Sequence, residues 1–173
     1  MREERVMDAI HHEVWINAEK SKVFDAITTR EGLDAWWGKA VAAQPERGYV
    51  VEFDHGLEDL MRMRITDLAT NESVAWRCVS DFTDPRNPAS EWLGHRLTFD
   101  LRTAAGDPAL GWLAPRLGWD SAQGEAITIL DFRHEGWPRT SRWHPFCNVA
   151  WGETLGGLGR YCETGDATGE GQN

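Results

Sequence analysis

Apolar and polar residues first alternate with a period of two over Ile10, His12, Val14 and Ile16 against His11, Glu13, Trp15 and Asn17. That is the period of a strand with one covered face. Asn17-Ala18-Glu19-Lys20 then offers a helix-capping residue, and Val23, Phe24 and Ile27 follow at helical spacing, which predicts a short helix. A second short helix is expected to begin at Gly32, around Leu33 and Trp36. Beyond Gly38 the period of two returns in Tyr49/Val51/Phe53, Met61/Met63/Ile65, Val74/Trp76/Cys78 and, longest, Leu93/His95/Leu97/Phe99/Leu101. Turn-forming clusters at 44–48, 69–72 and 83–88 separate these runs, so they predict an antiparallel meander.

Residues 104–124 break the rhythm with Gly106, Pro108, Gly111, Pro115, Gly118 and Gly124 among apolar side chains. A stretch this long without a pattern is usually functional or disordered, and its apolar content favours a lid or a packed Ω-loop. Over 126–134, Ala126, Thr128, Leu130, Phe132 and His134 then share one strand face, while Asp131 and Arg133 mark the solvent side. From Cys147 to Thr164 the spacing turns helical, with Trp151, Leu155, Leu158 and Cys162 on one stripe. Gly152, Gly156, Gly157 and Gly159 oppose that helix at about 1 kcal/mol each relative to Ala, so packing must hold it. Residues 166–173 are polar and glycine-rich and read as a flexible tail. Residues 1–165 are expected to form one domain, for which 173 residues in all suffice.

Charge removes several function classes. A net charge of −10 argues against nucleic acid and anionic membrane surfaces, because both are bound through Lys and Arg. Residues 1–10 hold no apolar leader segment, and no apolar run is long enough to span a bilayer, so a cytoplasmic location is expected. Cys78, Cys147 and Cys162 lie too far apart in sequence for a paired metal or disulfide motif. Nothing in the spacing of residues calls for a metal or a cofactor.

The ten tryptophans are the compositional anomaly. Indoles fill cores, and they also wall apolar pockets. Trp36-Trp37 concentrates the question, since neighbours on a helix point different ways and one indole can be core while the other borders a site. Among the histidines, His95 and His134 fall on inward strand faces, and His12 shares that parity near the chain start. Each is either a hydrogen-bonded core histidine or a polar anchor, or acid/base, in an apolar cavity. No nucleophile elbow occurs, and Gly156-Gly157-Leu158-Gly159 lacks the lysine and hydroxyl residue of a phosphate loop. Asp54, Glu58 and Asp59 cluster near His55, which reads as a solvated acidic loop with a weak cation site as the alternative.

The order of elements, strand, two short helices, meander and long C-terminal helix, is that of the α+β helix-grip (START/Bet v 1-like) fold, a curved antiparallel sheet wrapped around its last helix. Residues Val23 to Gly38, with Glu31-Gly32-Leu33 and Trp36-Trp37-Gly38, resemble the opening of the family related to the C-terminal domain of the Hsp90 ATPase activator Aha1, within the START/SRPBCC superfamily. Phe132-Arg133-His134-Glu135-Gly136-Trp137 is similar to that family's last-strand motif, and Trp151 to Glu163 to its terminal helix. Two departures stand out: the insertion at 104–124, and Pro45-Glu46-Arg47-Gly48 where the family has Pro-Gly-Gly.

The resemblance implies a cavity between sheet and terminal helix that holds a small hydrophobic ligand of lipid, polyketide or aromatic-metabolite class. Its expected lining is Trp36, Trp76, Phe99, Phe132, Trp151 and Leu155, with His95 and His134 as polar contacts. Trp112, Leu113, Leu117 and Trp119 of the insertion are expected to cap the mouth. Two alternatives accompany this non-catalytic binding role. One is a partner that stimulates an Hsp90-type chaperone; the other is a cyclase- or hydrolase-like enzyme with His95 or His134 as the catalytic base. Edge strands and surface tryptophans would also support a homodimer.

Overall fold

The alternating runs become strands of the expected parity in a computed structural model that describes residues 8–167. The strands are β1 (Ile10–Ile16), β2 (Lys39–Ala42), β3 (Val50–Asp54), β4 (Met61–Ala69), β5 (Ser73–Cys78), β6 (Arg96–Thr103) and β7 (Thr128–Glu135). The helices are α1 (Lys20–Thr28), α2 (Arg30–Trp36), α3 (Leu110–Arg116) and α4 (His144–Thr164). One seven-stranded sheet runs β1-β7-β6-β5-β4-β3-β2, antiparallel at every pairing. This is the helix-grip arrangement, in which α4 lies against the sheet's inner face.

The register explains why the core is continuous. Val14 pairs with Leu130, Leu130 with Leu101, and Phe132 with Phe99, so one apolar row crosses three strands. Further along the sheet, Phe99 pairs with Val74, and Ile65 with Trp76. Trp151, Leu155, Leu158 and Cys162 of α4 are buried on that surface, as the helical stripe predicts. Their burial offsets the glycine cost: a Cβ at Gly152 or Gly159 would meet only ordinary contacts, 3.5 Å from His12 and 3.8 Å from Ile16. Packing, not steric necessity at these two positions, therefore sustains the helix.

The α1–α2 corner is different. Thr29 caps α2 by accepting from the Gly32 amide at 3.0 Å, so the helix starts at Arg30, two residues before Gly32. Glu19 precedes α1 without a side-chain cap bond, which removes Asn17 from that role. A Cβ on Gly32 would lie 2.5 Å from the Ala26 Cα, where no flexible atom can give way. Gly32→Ala is accordingly expected to cost about 1–3 kcal/mol, read as a lowered urea midpoint at unchanged slope.

Sequence patterning misplaced several elements. The first part of the run from Leu93 is a turn, with Leu93 53% exposed and β6 starting only at Arg96. Strand β2 was not foreseen, being four residues long. Ala126 ends a 3-10 segment (Ser121–Ala126) and does not open β7. Of the expected tail at 166–173, residues 168–173 lie outside the described residues.

The insertion is the main correction. It contains α3 and the 3-10 segment, and its Leu110 and Trp119 pack on Ala104, Ile127, Ile129 and Trp15. Ile129 and Trp15 have the opposite parity to Leu130 and Val14, so this small cluster lies on the outer face of the sheet, away from α4. Arg102 fastens it there through Asp107 at 2.8 Å, and also pairs with Glu13 at 3.3 Å and Asp131 at 3.5 Å. The insertion covers two isoleucines that would otherwise face water; it is no cap for the inner cavity. Trp112 remains 58% exposed beneath the Arg116 guanidinium, 3.5 Å from its ring. No helix among the described residues is long and apolar enough to cross a membrane.

Candidate functional site

An open-mouthed cavity of about 190 Å³ lies under the N-terminal half of α4. Its wall is aromatic, with Trp37 at the end of α2, Trp92 after the 3-10 turn Pro88–Glu91, and Trp151 on α4. The Trp151 ring lies 5.5 Å from Trp37 and 6.0 Å from Trp92, with near-parallel planes in both pairs. Met61 and Phe82 add to the apolar wall. Leu57 on the β3–β4 loop and Phe146 on α4 form the lips, 49% and 53% exposed. Large apolar side chains held at a rim are the features of a ligand entrance.

Polar groups in the lining are few. Asn87 is fixed, since its side-chain oxygen accepts from the Ala89 amide at 2.9 Å and its amide donates to Glu58 at 3.1 Å. Asp59 sits at the mouth, its carboxyl held below the usual range by the Leu60 amide and the Arg62 guanidinium. His55 and Thr154 complete the polar set. Cys147 also borders the cavity, but burial pushes its thiol up to about 11, so it is a neutral, weakly reactive wall group. Of the acidic cluster Asp54, Glu58 and Asp59, Asp59 is the member that lines the cavity. No group of three or more His, Cys, Asp or Glu side chains among the described residues could hold a metal.

The structure brings His95 and His134 together, behind the aromatic wall and off the cavity surface. Trp151 Nε1–H donates to His134 Nδ1 at 3.1 Å, and His134 Nε2 and His95 Nδ1 are 3.0 Å apart. Indole can only donate, so a neutral His134 carries its proton on Nε2 and gives that bond to His95 Nδ1. His95, accepting at Nδ1, then carries its own proton on Nε2. The donor order from Trp151 through His134 to His95 fixes both tautomers. Burial holds His134 well below the ordinary histidine range and His95 down to about 4, so both are neutral. Among the described residues no carboxylate is hydrogen-bonded to either ring, and neither ring lines the cavity, so the two act as a polar clasp between sheet and α4. Gly136 belongs to it: at φ 119°, a Cβ there would lie 2.6 Å from the His95 ring.

Other predicted lining residues are also core. Trp76, Phe99, Phe132 and Leu155 are fully buried and form the packed floor behind Trp37 and Trp151. Trp36 donates its indole N–H to the Ala26 carbonyl at 2.8 Å and stacks on Trp37 at 6.2 Å. Of the tryptophan pair, Trp36 is therefore core and Trp37 borders the cavity. Trp151 is the member of the predicted lining that reaches it. Trp112, Leu113, Leu117 and Trp119 have no place in its lining; Leu57 and Phe146 occupy the mouth instead.

Sequence reasoning singled out the Trp36-Trp37 pair but placed Trp36 in the lining where Trp37 stands, and it missed Phe82, Trp92 and Phe146. One signal was available on α4, where Phe146, Ala150 and Thr154 recur at i, i+4 and i+8 beside the core stripe. Phe82 and Trp92 flank an irregular loop whose shape no periodicity encodes. That loop is clasped to the start of α4 by Glu91, whose carboxylate accepts from Ser141 Oγ and from the Arg142 amide at 3.1 Å. Trp143 adds a bond from its indole N–H to the Pro85 carbonyl at 3.0 Å.

No protein-family model matches the sequence, and no curated protein does. Solved structures do. An Aha1 protein from Colwellia psychrerythraea, solved as a dimer, is 23% identical with a TM-score of 0.69, over 92% of this chain and 98% of that one. CalU16 from Micromonospora echinospora is 15% identical with a TM-score of 0.62, over 95% of this chain and 79% of that one. DynU16, a protein of the dynemicin biosynthetic locus, is 17% identical with a TM-score of 0.66, over 92% of this chain but 49% of its own. At such identities the likeness is one of fold, the helix-grip fold.

Proposed function

We propose that this protein binds a small, ring-containing apolar molecule in the cavity between the Trp37–Trp151–Trp92 wall and the α4 rim. The observation that carries the reading is an aromatic cavity left open inside an otherwise packed core, with exposed Leu57 and Phe146 at its entrance. Its volume of about 190 Å³ suits a one-ring ligand, since an apolar cavity of about 150 Å³ holds benzene. A longer molecule would project between the lips. The fold supports the same reading, because the SRPBCC arrangement sets its last helix against a curved sheet and leaves space between them.

The test is tryptophan fluorescence and thermal shift against a panel of small aromatic alcohols, ketones and amines. Ligands are expected to change the emission of Trp37, Trp92 and Trp151 and to raise the melting temperature in proportion to occupancy. Ala150→Trp, which places an indole in the cavity from the half-buried face of α4, is expected to abolish both responses while the protein still folds. A panel without response, or an Ala150→Trp variant that binds as the parent does, would overturn the reading.

A further inference from the structure

The charge around the cavity selects among apolar ligands, and this step rests on the binding reading above. The lining contains no Lys or Arg; its acidic member is Asp59 at the mouth. Four more carboxylates are near, Asp54 at the end of β3, opposite Lys39, and Glu58, Asp81 and Asp84 on the adjoining loops. Two arginines answer them, Arg62 to Asp59 at 3.1 Å and Arg86 to Asp84 at 2.7 Å. Arg62 is shared, since it also binds Glu52 at 3.0 Å. Among the described residues Asp54, Glu58 and Asp81 make no salt bridge, so the rim keeps a negative excess.

The walls hold three tryptophans, Trp37, Trp92 and Trp151. Indole faces present the negative side of their quadrupole, which attracts cations and does most for them where water is excluded. One opposing element is near: the N-terminus of α4, the positive end of a helix, adjoins the mouth at Phe146 and Cys147. Glu91 lies just ahead of that end, accepting from the amides of Arg142 and Trp143, which precede α4. That carboxylate offsets part of the helix's positive end.

We propose that the cavity takes a small organic cation, an aryl-alkyl ammonium whose ring lies against Trp37, Trp92 and Trp151 and whose ammonium sits at the mouth beside Asp59. A carboxylate on the same ring would meet carboxylates in the same place. Aromatic acids and fatty acids are thereby excluded, and aromatic amines are favoured over their neutral alcohols.

The measurement is an NMR titration of the indole N–H signals with benzylammonium, benzyl alcohol and benzoate, whose rings are alike and whose charges differ. The ammonium is expected to bind about tenfold more tightly than the alcohol, with benzoate weakest. That preference should shrink in about 0.5 M salt, because the rim is exposed. Asp59→Asn is expected to bring the ammonium-to-alcohol ratio severalfold closer to one. If the alcohol equals or exceeds the ammonium, or if Asp59→Asn leaves the ratio unaltered, the cation assignment falls while the cavity reading stands. If none of the three moves the Trp37, Trp92 or Trp151 signals, the cavity reading itself falls.

Discussion

Trp151→Ala is expected to destabilise the fold by about 3–5 kcal/mol, the range for deleting a large aromatic side chain from a packed core. Trp151 is buried on α4 and joins three structures at once. Its ring meets Phe132 of the sheet at 4.5 Å, Trp37 from the α2 corner at 5.5 Å and Trp92 from the loop at 6.0 Å. Its N–H starts the donor chain through His134 and His95. Removing the ring enlarges an existing cavity, so collapse of the neighbours cannot recover much of the lost contact. Trp151→Phe separates the two roles, because it keeps most of the apolar contact but leaves His134 Nδ1 buried without its donor, at about 1–3 kcal/mol. Urea denaturation of both variants decides the matter. A loss below about 1 kcal/mol for Trp151→Ala would show that α4 is held elsewhere. Equal losses in the two variants would instead put the whole effect in the hydrogen bond.

The sequence made the frame legible because burial in this fold follows a simple period. Ile10, Val14, Leu130, Phe132 and Phe99 sit where alternation puts them, and Trp151 to Cys162 where helical spacing does. The cavity is harder to read, because it exists where periodic packing stops. One of its lips and half of its wall come from the loops at 55–59 and 82–92, whose path is set by particular bonds such as Glu58 to Asn87 and Glu91 to Ser141. Inward parity identified His95 and His134 as a pair facing the core, and parity alone cannot distinguish an anchor facing open space from one sealed by Trp92 and Trp137. The insertion shows the same limit in reverse. Apolar content announced that it packs, while the side of the sheet it packs on depended on Ile127 and Ile129, whose outward parity left them in need of cover.

The sealed histidines give the second large effect, a loss of stability as the pH falls from about 6.5 towards about 4. Burial lowers both folded-state values below the ordinary 6.5, so the unfolded chain takes up protons in this range that the native protein refuses. Their contribution is therefore fully present above 6.5 and is lost as acid is added, continuing until the native rings themselves protonate. For His95, a fall from 6.5 to about 4 corresponds to roughly 3 kcal/mol, and His134 acts in the same direction. Geometry gives the reason for the refusal. A doubly protonated His134 would turn Nδ1 into a donor facing the Trp151 N–H, and its charge would lie beside His95. The surface carboxylates act later: Asp84, lowered to about 2 by Arg86, loses its contribution only below its ordinary 3.8. Urea midpoints taken at successive pH values should thus decline first through the histidine range, with a further decline below it. A flat midpoint across that range, or imidazolium signals from His95 or His134 in the folded protein near pH 6, would show that the clasp is charged and its donor order wrong.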